Sequence, residues 1–258
     1  GALDFEINAT ADCATRQFTN TSVNFIPGSL SWNFGDPLSG AANTSNLENP
    51  QHTYAGGIGF YVVELAGQVQ AQGGGACLRR LVRNDTIRVA ADFFPPTGCA
   101  GAPVDFQDAS SFLPFASITD WEWDFGDPGS GAANTASGPN PSHVFDTAGN
   151  YAVTLTITAD DGCQTSVTRT VAVLPAPATD ILAQGPECAG TAYNFLAQVD
   201  STAISLSWDF GDPAGGSANN SSLDSTFYLY PSSGSYTVSL TSGNIFGCTA
   251  TDTQTVEV

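Results

Sequence analysis

One hexapeptide governs how this chain can fold, because it occurs three times. Trp32-Asn33-Phe34-Gly35-Asp36-Pro37 returns as Trp123-Asp124-Phe125-Gly126-Asp127-Pro128 and as Trp208-Asp209-Phe210-Gly211-Asp212-Pro213. The copies stand 91 and 85 residues apart. Each is followed by a glycine three residues past the proline (Gly40, Gly131, Gly216) and an asparagine six past it (Asn43, Asn134, Asn219). A Gly-x-Tyr-x-Val-x-Leu stretch then starts at Gly59, Gly149 and Gly234, and every copy closes on a cysteine followed by a Thr- and Val-rich segment. Matches in a fixed order at a fixed period mark tandem modules. Their expected bounds are residues 1–89, 90–173 and 174–258.

Inside a repeat the apolar period is two. Tyr151, Val153, Leu155 and Ile157 alternate with Ala152, Thr154, Thr156 and Thr158, which makes a strand with one apolar and one solvated face. Clusters such as Asp160-Asp161-Gly162 and Pro231-Ser232-Ser233-Gly234 punctuate the strands as turns, and no sustained helical period appears. Short strands with regular turns over fewer than 90 residues predict an all-β chain of three tandem Ig-like sandwiches in an elongated array. Trp32, Trp123 and Trp208 are then core residues, packed as in Ig-like folds beside a disulfide, and Tyr61, Tyr151 and Tyr236 are tyrosine-corner groups. Trp121 occurs in repeat 2 alone and is expected at the edge of that core.

Charge excludes several function classes. The 258 residues carry 25 acids against six Arg and no Lys, a net charge of -19, which opposes nucleic acid and anionic membrane surfaces as partners. A chain without Lys has no Schiff-base lysine and no P-loop lysine. No apolar run approaches the length of a membrane-spanning helix, and no G-x-S-x-G, H-E-x-x-H or phosphate loop occurs, so no catalytic residue is expected. The N-terminal Gly-Ala-Leu-Asp reads as a piece of a longer precursor. The charge is unevenly shared: repeat 1 has seven acids and five Arg, repeat 2 ten and one, repeat 3 eight and none. Arg79, Arg80, Arg83 and Arg88 fall within ten residues and are candidates for contact with an acidic surface, on repeat 2 or on another copy of the chain.

The six cysteines point to an oxidising compartment. Pairing within repeats, as Cys13–Cys77, Cys99–Cys163 and Cys188–Cys248, encloses nearly constant spans of 64, 64 and 60 residues. The competing pattern, Cys77–Cys99 with Cys163–Cys188, would staple neighbouring repeats. A zinc site lacks support, since no C-x-x-C occurs and the only histidines are His52 and His143.

The combination of Trp-x-Phe-Gly-Asp, His52-Thr53-Tyr54 (His143-Val144-Phe145 in repeat 2) and Gly-x-Tyr-x-Val-x-Leu resembles tandem PKD (polycystic-kidney-disease) domains over essentially the whole chain. Repeat 3 departs from the pattern, with Thr226-Phe227-Tyr228 where the others carry the histidine. The longer Gly-Asp-Pro loop and the cysteine near each end resemble PKD arrays in surface proteins of Bacteroidota, commonly cargo of the type IX secretion system. The resemblance implies a secreted, non-enzymatic cell-surface module, a stalk or a building block of a surface filament. Its partners would be other domains of a larger surface protein, other copies of itself, or surface glycans or proteins. It leaves a second reading open, a carbohydrate- or protein-binding accessory region of a secreted hydrolase. The Asp-Ser/Thr motifs also resemble the O-glycosylation acceptor of those bacteria, which marks Thr86, Thr147, Ser201 and Ser225 as candidate sites.

No cofactor is required by this reading. The loop residues Asp36 and Asn43, Asp127 and Asn134, and Asp212 and Asn219 offer oxygen ligands to Ca2+, against the plainer reading that each Asp caps its own turn.

Overall fold

The computed structural model describes residues 1–185 and 190–258. Its regular elements are strands and three short 3-10 turns, Pro37–Asn43, Pro128–Asn134 and Pro213–Asn219, one after each hexapeptide. The chain forms two compact units. One comprises Gly1–Pro95, Asp105–His143 and Ala152–Thr170, the other Pro96–Val104, Val144–Tyr151 and Val171–Val258, so the middle repeat contributes to both.

In the first unit, repeat 1 builds two antiparallel sheets. Phe5–Ala9, Thr15–Asn20 and Gln51–Thr53 form one; Thr44–Ser45, Ser31–Asn33, Gly59–Gln70 and Ala76–Ile87 form the other, in that order. The period-two pattern orients them. Along Gly59–Gln70 the side chains of Tyr61, Val63, Leu65 and Val69 turn inward, while Phe60 and Val62 face solvent. Phe5, Phe18, Trp32 and Phe34 fill the space between the sheets, each at most 1% exposed. The same unit holds the core aromatics of repeat 2, with Phe93, Phe106 and Phe125 packed around Trp123 or its neighbours.

In the second unit, repeat 3 repeats the plan. Thr179–Gln184, Ala192–Val199 and Ser225–Leu229 face Asn220–Ser221, Ala203–Asp209, Ser235–Asn244 and Thr249–Glu257 across Phe195, Trp208, Phe210, Val238 and Leu240. Here Thr97–Cys99 of repeat 2 runs parallel to the end of Gln164–Leu174, with Val173 opposite Gly98. The chain is therefore all-β, with sandwich domains in tandem.

The hexapeptide explains why each tryptophan is invariant among the repeats. Every indole N–H donates to a carbonyl fifteen residues on, Leu47, Gly138 or Leu223, at 2.9 Å, so the ring fills the core without leaving its N–H unpaired. The glycine of Phe-Gly-Asp is required by backbone geometry. Gly35, Gly126 and Gly211 have φ of 70, 67 and 72°, and a Cβ there would lie 2.5, 2.5 and 2.3 Å from a carbonyl oxygen of the adjacent strand.

Candidate functional site

The Asp-Pro loops come first because the sequence offers them to Ca2+. In each, the Asp backbone N–H donates to the asparagine Oδ1: Asp36 to Asn43 and Asp127 to Asn134 at 2.6 Å, Asp212 to Asn219 at 2.8 Å. The carboxylates turn inward. Asp36 Oδ2 accepts from Ala55 N at 2.7 Å and meets His52 Nε2 at 3.2 Å. Asp127 Oδ2 meets His143 Nε2 at 3.1 Å, and Asp212 Oδ2 accepts from the Tyr228 hydroxyl at 2.7 Å. Tyr228 thus stands at the histidine's place in repeat 3, sixteen residues after its aspartate, as His52 and His143 stand after theirs. Burial and then the bond to Asp212 push the Tyr228 hydroxyl up to about 12.

Most oxygens of these loops are engaged within the protein. The amide oxygens and one oxygen of each carboxylate already receive protein donors, Asp36 and Asp212 are buried, and no group of three His, Cys, Asp or Glu converges among the described residues. The inward carboxylate of each loop meets a side chain sixteen residues on, and Asp36 Oδ1 is buried without a protein partner.

The cysteines depart from the expected pairing. Cys13 bonds to Cys163 and Cys99 to Cys248, so the pairs 13–77, 99–163 and 188–248 do not form, and neither do Cys77–Cys99 or Cys163–Cys188. Cys77 is free and exposed, and Cys188 lies outside the described residues. Each bond joins the first cysteine of one repeat to the last cysteine of the next, leaving the tryptophans without the adjoining disulfide of Ig-like cores.

The junction around Cys13 shows how the bond is positioned. Residues 10–14 form a tight turn ahead of Thr15–Asn20, in which Asp12 accepts from Ala14 N at 3.0 Å and from the Thr15 hydroxyl at 2.6 Å. The loop lies along the edge of the hairpin that follows Ala152–Ala159. Cys13 N donates to Gln164 O at 2.9 Å and Gln164 N to Ala11 O at 2.8 Å, a parallel bridge centred on Asp12 and Gln164. The hairpin closes with Ala159 N donating to Cys163 O at 2.9 Å, which turns the N–H and C=O of Gln164 outward to meet the loop. Repeat 1 also contributes Arg88, whose carbonyl accepts from Leu113 N at 2.9 Å. Arg88 reaches the acidic turn of the same hairpin, 2.8 Å from both Asp160 and Asp161, and donates to Phe115 O.

The rest of the arginine strip is distributed differently. Arg80 pairs with Glu64 and Arg83 with Asp4, both within repeat 1, and Arg79 is exposed. Arg83 has a counterpart that sequence reading missed: Arg169 holds Asp92 in repeat 2 as Arg83 holds Asp4. In both repeats the aspartate precedes a core phenylalanine and accepts from its backbone N–H. The repeated Asp-Phe dipeptide was the available signal. Arg16, also in repeat 1, forms a buried pair with Asp85 and donates to Cys13 O, bracing the cysteine loop from inside.

The three tyrosines do cap corners, each hydroxyl donating to a carbonyl four residues upstream: Gly57, Thr147 and Ser232. Trp121 donates to Asp108 at 2.8 Å and is half-buried. Of the candidate glycosylation residues, Thr147, Ser201 and Ser225 are exposed, whereas Thr86 is half-buried in Ala76–Ile87 beside Asp85.

PKD domain models match residues 89–174 and 182–257. A microbial collagenase of Vibrio alginolyticus is 30% identical over 92 residues, 36% of this chain, and the match spans 10% of the collagenase's length. Among solved structures, the PKD1 domain of Vibrio anguillarum Epp is 29% identical, with 32% of this chain and 93% of that chain covered and a TM-score of 0.27. The fibronectin(III)-like modules of Clostridium thermocellum CbhA are 14% identical over 66% of this chain and 93% of theirs, with a TM-score of 0.31.

Proposed function

Because the chain contains two PKD domains, at residues 89–174 and 182–257, we propose that it is a non-enzymatic extracellular module. Its role in this reading is mechanical, as a disulfide-stapled stalk or surface-filament building block of a secreted bacterial cell-surface protein. The observation that carries the proposal is the placement of the two disulfides, which join one repeat to the next. Disulfides persist in oxidising surroundings outside the cell. Among the described residues no helix is long and apolar enough to cross a membrane.

The bonds shorten the load path. Under tension the covalent route runs from Gly1 to Cys13, across to Cys163, back to Cys99, across to Cys248 and on to Val258. That route contains only 12, 64 and 10 residues of backbone. Fully extended it measures about 300 Å, against about 870 Å for the reduced chain. Single-molecule stretching tests this directly. The staple reading expects extension to stop near the shorter length in oxidised protein and to reach the longer one after reduction. Full extension without reductant would refute it.

The similarity to a collagenase segment favours one further reading, an accessory region of a secreted hydrolase that binds carbohydrate or protein. Co-sedimentation with insoluble polysaccharide or collagen fibrils would support it, and absence of binding to either would leave the stalk.

A further inference from the structure

Repeat 3 carries an apolar cavity where the matching turn of repeat 2 is ionic. In repeat 2 the turn that closes on Cys163 is acidic, and Arg88 holds both Asp160 and Asp161. The last turn of repeat 3 closes in the same way, with Asn244 N donating to Cys248 O at 3.0 Å, but Ile245 and Phe246 stand in place of the two acids. With Leu174, Pro175 and Ile204 they line a cavity of about 310 Å³, and Ile204, Ile245 and Phe246 are all exposed. Exposed apolar side chains gathered around a concavity mark a binding surface.

The rim supplies a fixed charge. Asp200 directly precedes the lining residues Ser201 and Thr202. Its carboxylate accepts from Ala178 N at 2.7 Å, from Thr202 N at 2.8 Å and from the Thr202 hydroxyl. The hydroxyl bond, ahead of the two backbone bonds, holds this carboxyl below its ordinary value of 3.8, so it stays ionised. Repeat 3 has eight acids and neither Lys nor Arg to offset it. The cavity therefore suits an apolar side chain that brings a cation with it.

Repeat 1 presents that pair. Ala76–Ile87 is the edge of its sheet among the described residues, and residues 76–80 are exposed in an unbroken run. Leu78 lies in that run with Arg79 beside it. Arg16, Arg80, Arg83, Arg88 and Arg169 each meet a carboxylate, whereas Arg79 meets none among the described residues. The chain thus has one exposed Leu-Arg ridge whose charge is unspent, and one apolar cavity with an acid at its rim.

We propose that the ridge of one copy docks on repeat 3 of a second copy, with Leu78 in the cavity lined by Ile204, Ile245 and Phe246 and Arg79 against Asp200. The proposal rests on the surface-filament form of the reading above and names the contact that builds it. An apolar anchor packed beside an Arg is the composition of an interface hot spot, and the opposite charges steer the encounter. The two surfaces differ, so the contact is heterologous. Each copy that joins still offers one ridge or one cavity, and the row can grow.

Sedimentation velocity over a concentration series tests the joint, on full-length protein carrying Cys77→Ser so that no thiol beside Leu78 enters the readout. This parent should form dimers and longer species as its concentration rises, and fewer of them at high salt. Two variants divide the surfaces. Leu78→Asp with Arg79→Glu spoils the ridge alone, and Ile204→Asp with Phe246→Asp spoils the cavity alone. All four side chains are exposed, so both variants should melt near the parent's temperature. Each variant by itself should associate at least about tenfold more weakly than the parent. Mixed in equal amounts, the two should form dimers and stop there, because one intact ridge meets one intact cavity. A parent that stays monomeric, a mixture that stays monomeric, or a variant that assembles alone as strongly as the parent would each overturn the proposal. A monomer that keeps both internal disulfides would overturn the joint while leaving the stapled-stalk reading standing.

Discussion

The hairpin turn that closes on Cys163 and the one that closes on Gly75, two residues before Cys77, share their backbone pattern in successive repeats, but only the first is engaged. Around Cys163 a loop from repeat 1 adds its backbone to the strand edge, the sulfur bonds to Cys13, and the acidic turn Asp160-Asp161 holds Arg88. Around Cys77 the turn is Gln72-Gly73-Gly74 with no acid, the sulfur is free, and the edge faces solvent. The local strand geometry is shared and the partner is not.

The largest expected effect comes from opening the closed hairpin. The Cys13–Cys163 bond spans 150 residues, and a loop of that size stabilises by at most about 5 kcal/mol in the chain-entropy model. Cys13→Ser with Cys163→Ser should lower the melting temperature by about 10 °C. Cys77→Ser should leave it within error. Equal effects from the two hairpins would break the comparison.

A smaller effect belongs to the second tie on the closed hairpin. Arg88 is about a quarter exposed and shares its charge between two partly exposed carboxylates. Arg88→Ala should cost about 1 kcal/mol in a denaturant titration, and the loss should shrink at high salt. An undiminished loss at high salt would show that packing rather than charge holds the turn.

The smallest effect concerns a feature that the two hairpins share, the clamp from the last strand to the first. The hydrogen bond from Arg83, ahead of that from Phe5 N, holds the Asp4 carboxyl below its ordinary value of 3.8. A lowered value stabilises the fold when the carboxylate is ionised. The contribution is present above pH 3.8 and is lost as the pH falls through the lower value of the folded state. Arg83→Ala should flatten that acid limb of a stability–pH profile by a small amount, since both partners are exposed. An unchanged acid limb would remove Asp4 from the account.

Much of this fold was legible because side-chain period and backbone need left marks in every copy. The hexapeptide announced a core tryptophan, and the Gly-x-Tyr stretch announced a tyrosine that ties its own corner, whereas a side-chain cap of the turn forms at Asp212 but not at Asp36 or Asp127. In repeat 3 the sequence shows only that Thr226-Phe227-Tyr228 stands where the other repeats carry the histidine. The constant spacing of sixteen residues leads to Tyr228, whose hydroxyl does what the histidine nitrogen does elsewhere. Disulfide pairing was not legible for a specific reason. Spans of 64, 64 and 60 residues within repeats look regular, but the observed separations of 150 and 149 are at least as regular. Tandem repetition makes any consistent offset constant. The choice is made by a short parallel backbone contact at Asp12 and Gln164, which no composition or period records.

The central claim is that consecutive repeats are sewn together, and mapping the disulfides in non-reduced protein by mass spectrometry tests it most directly. The account predicts linked peptides containing Cys13 with Cys163 and Cys99 with Cys248. Linked peptides containing Cys13 with Cys77 and Cys99 with Cys163 would contradict it.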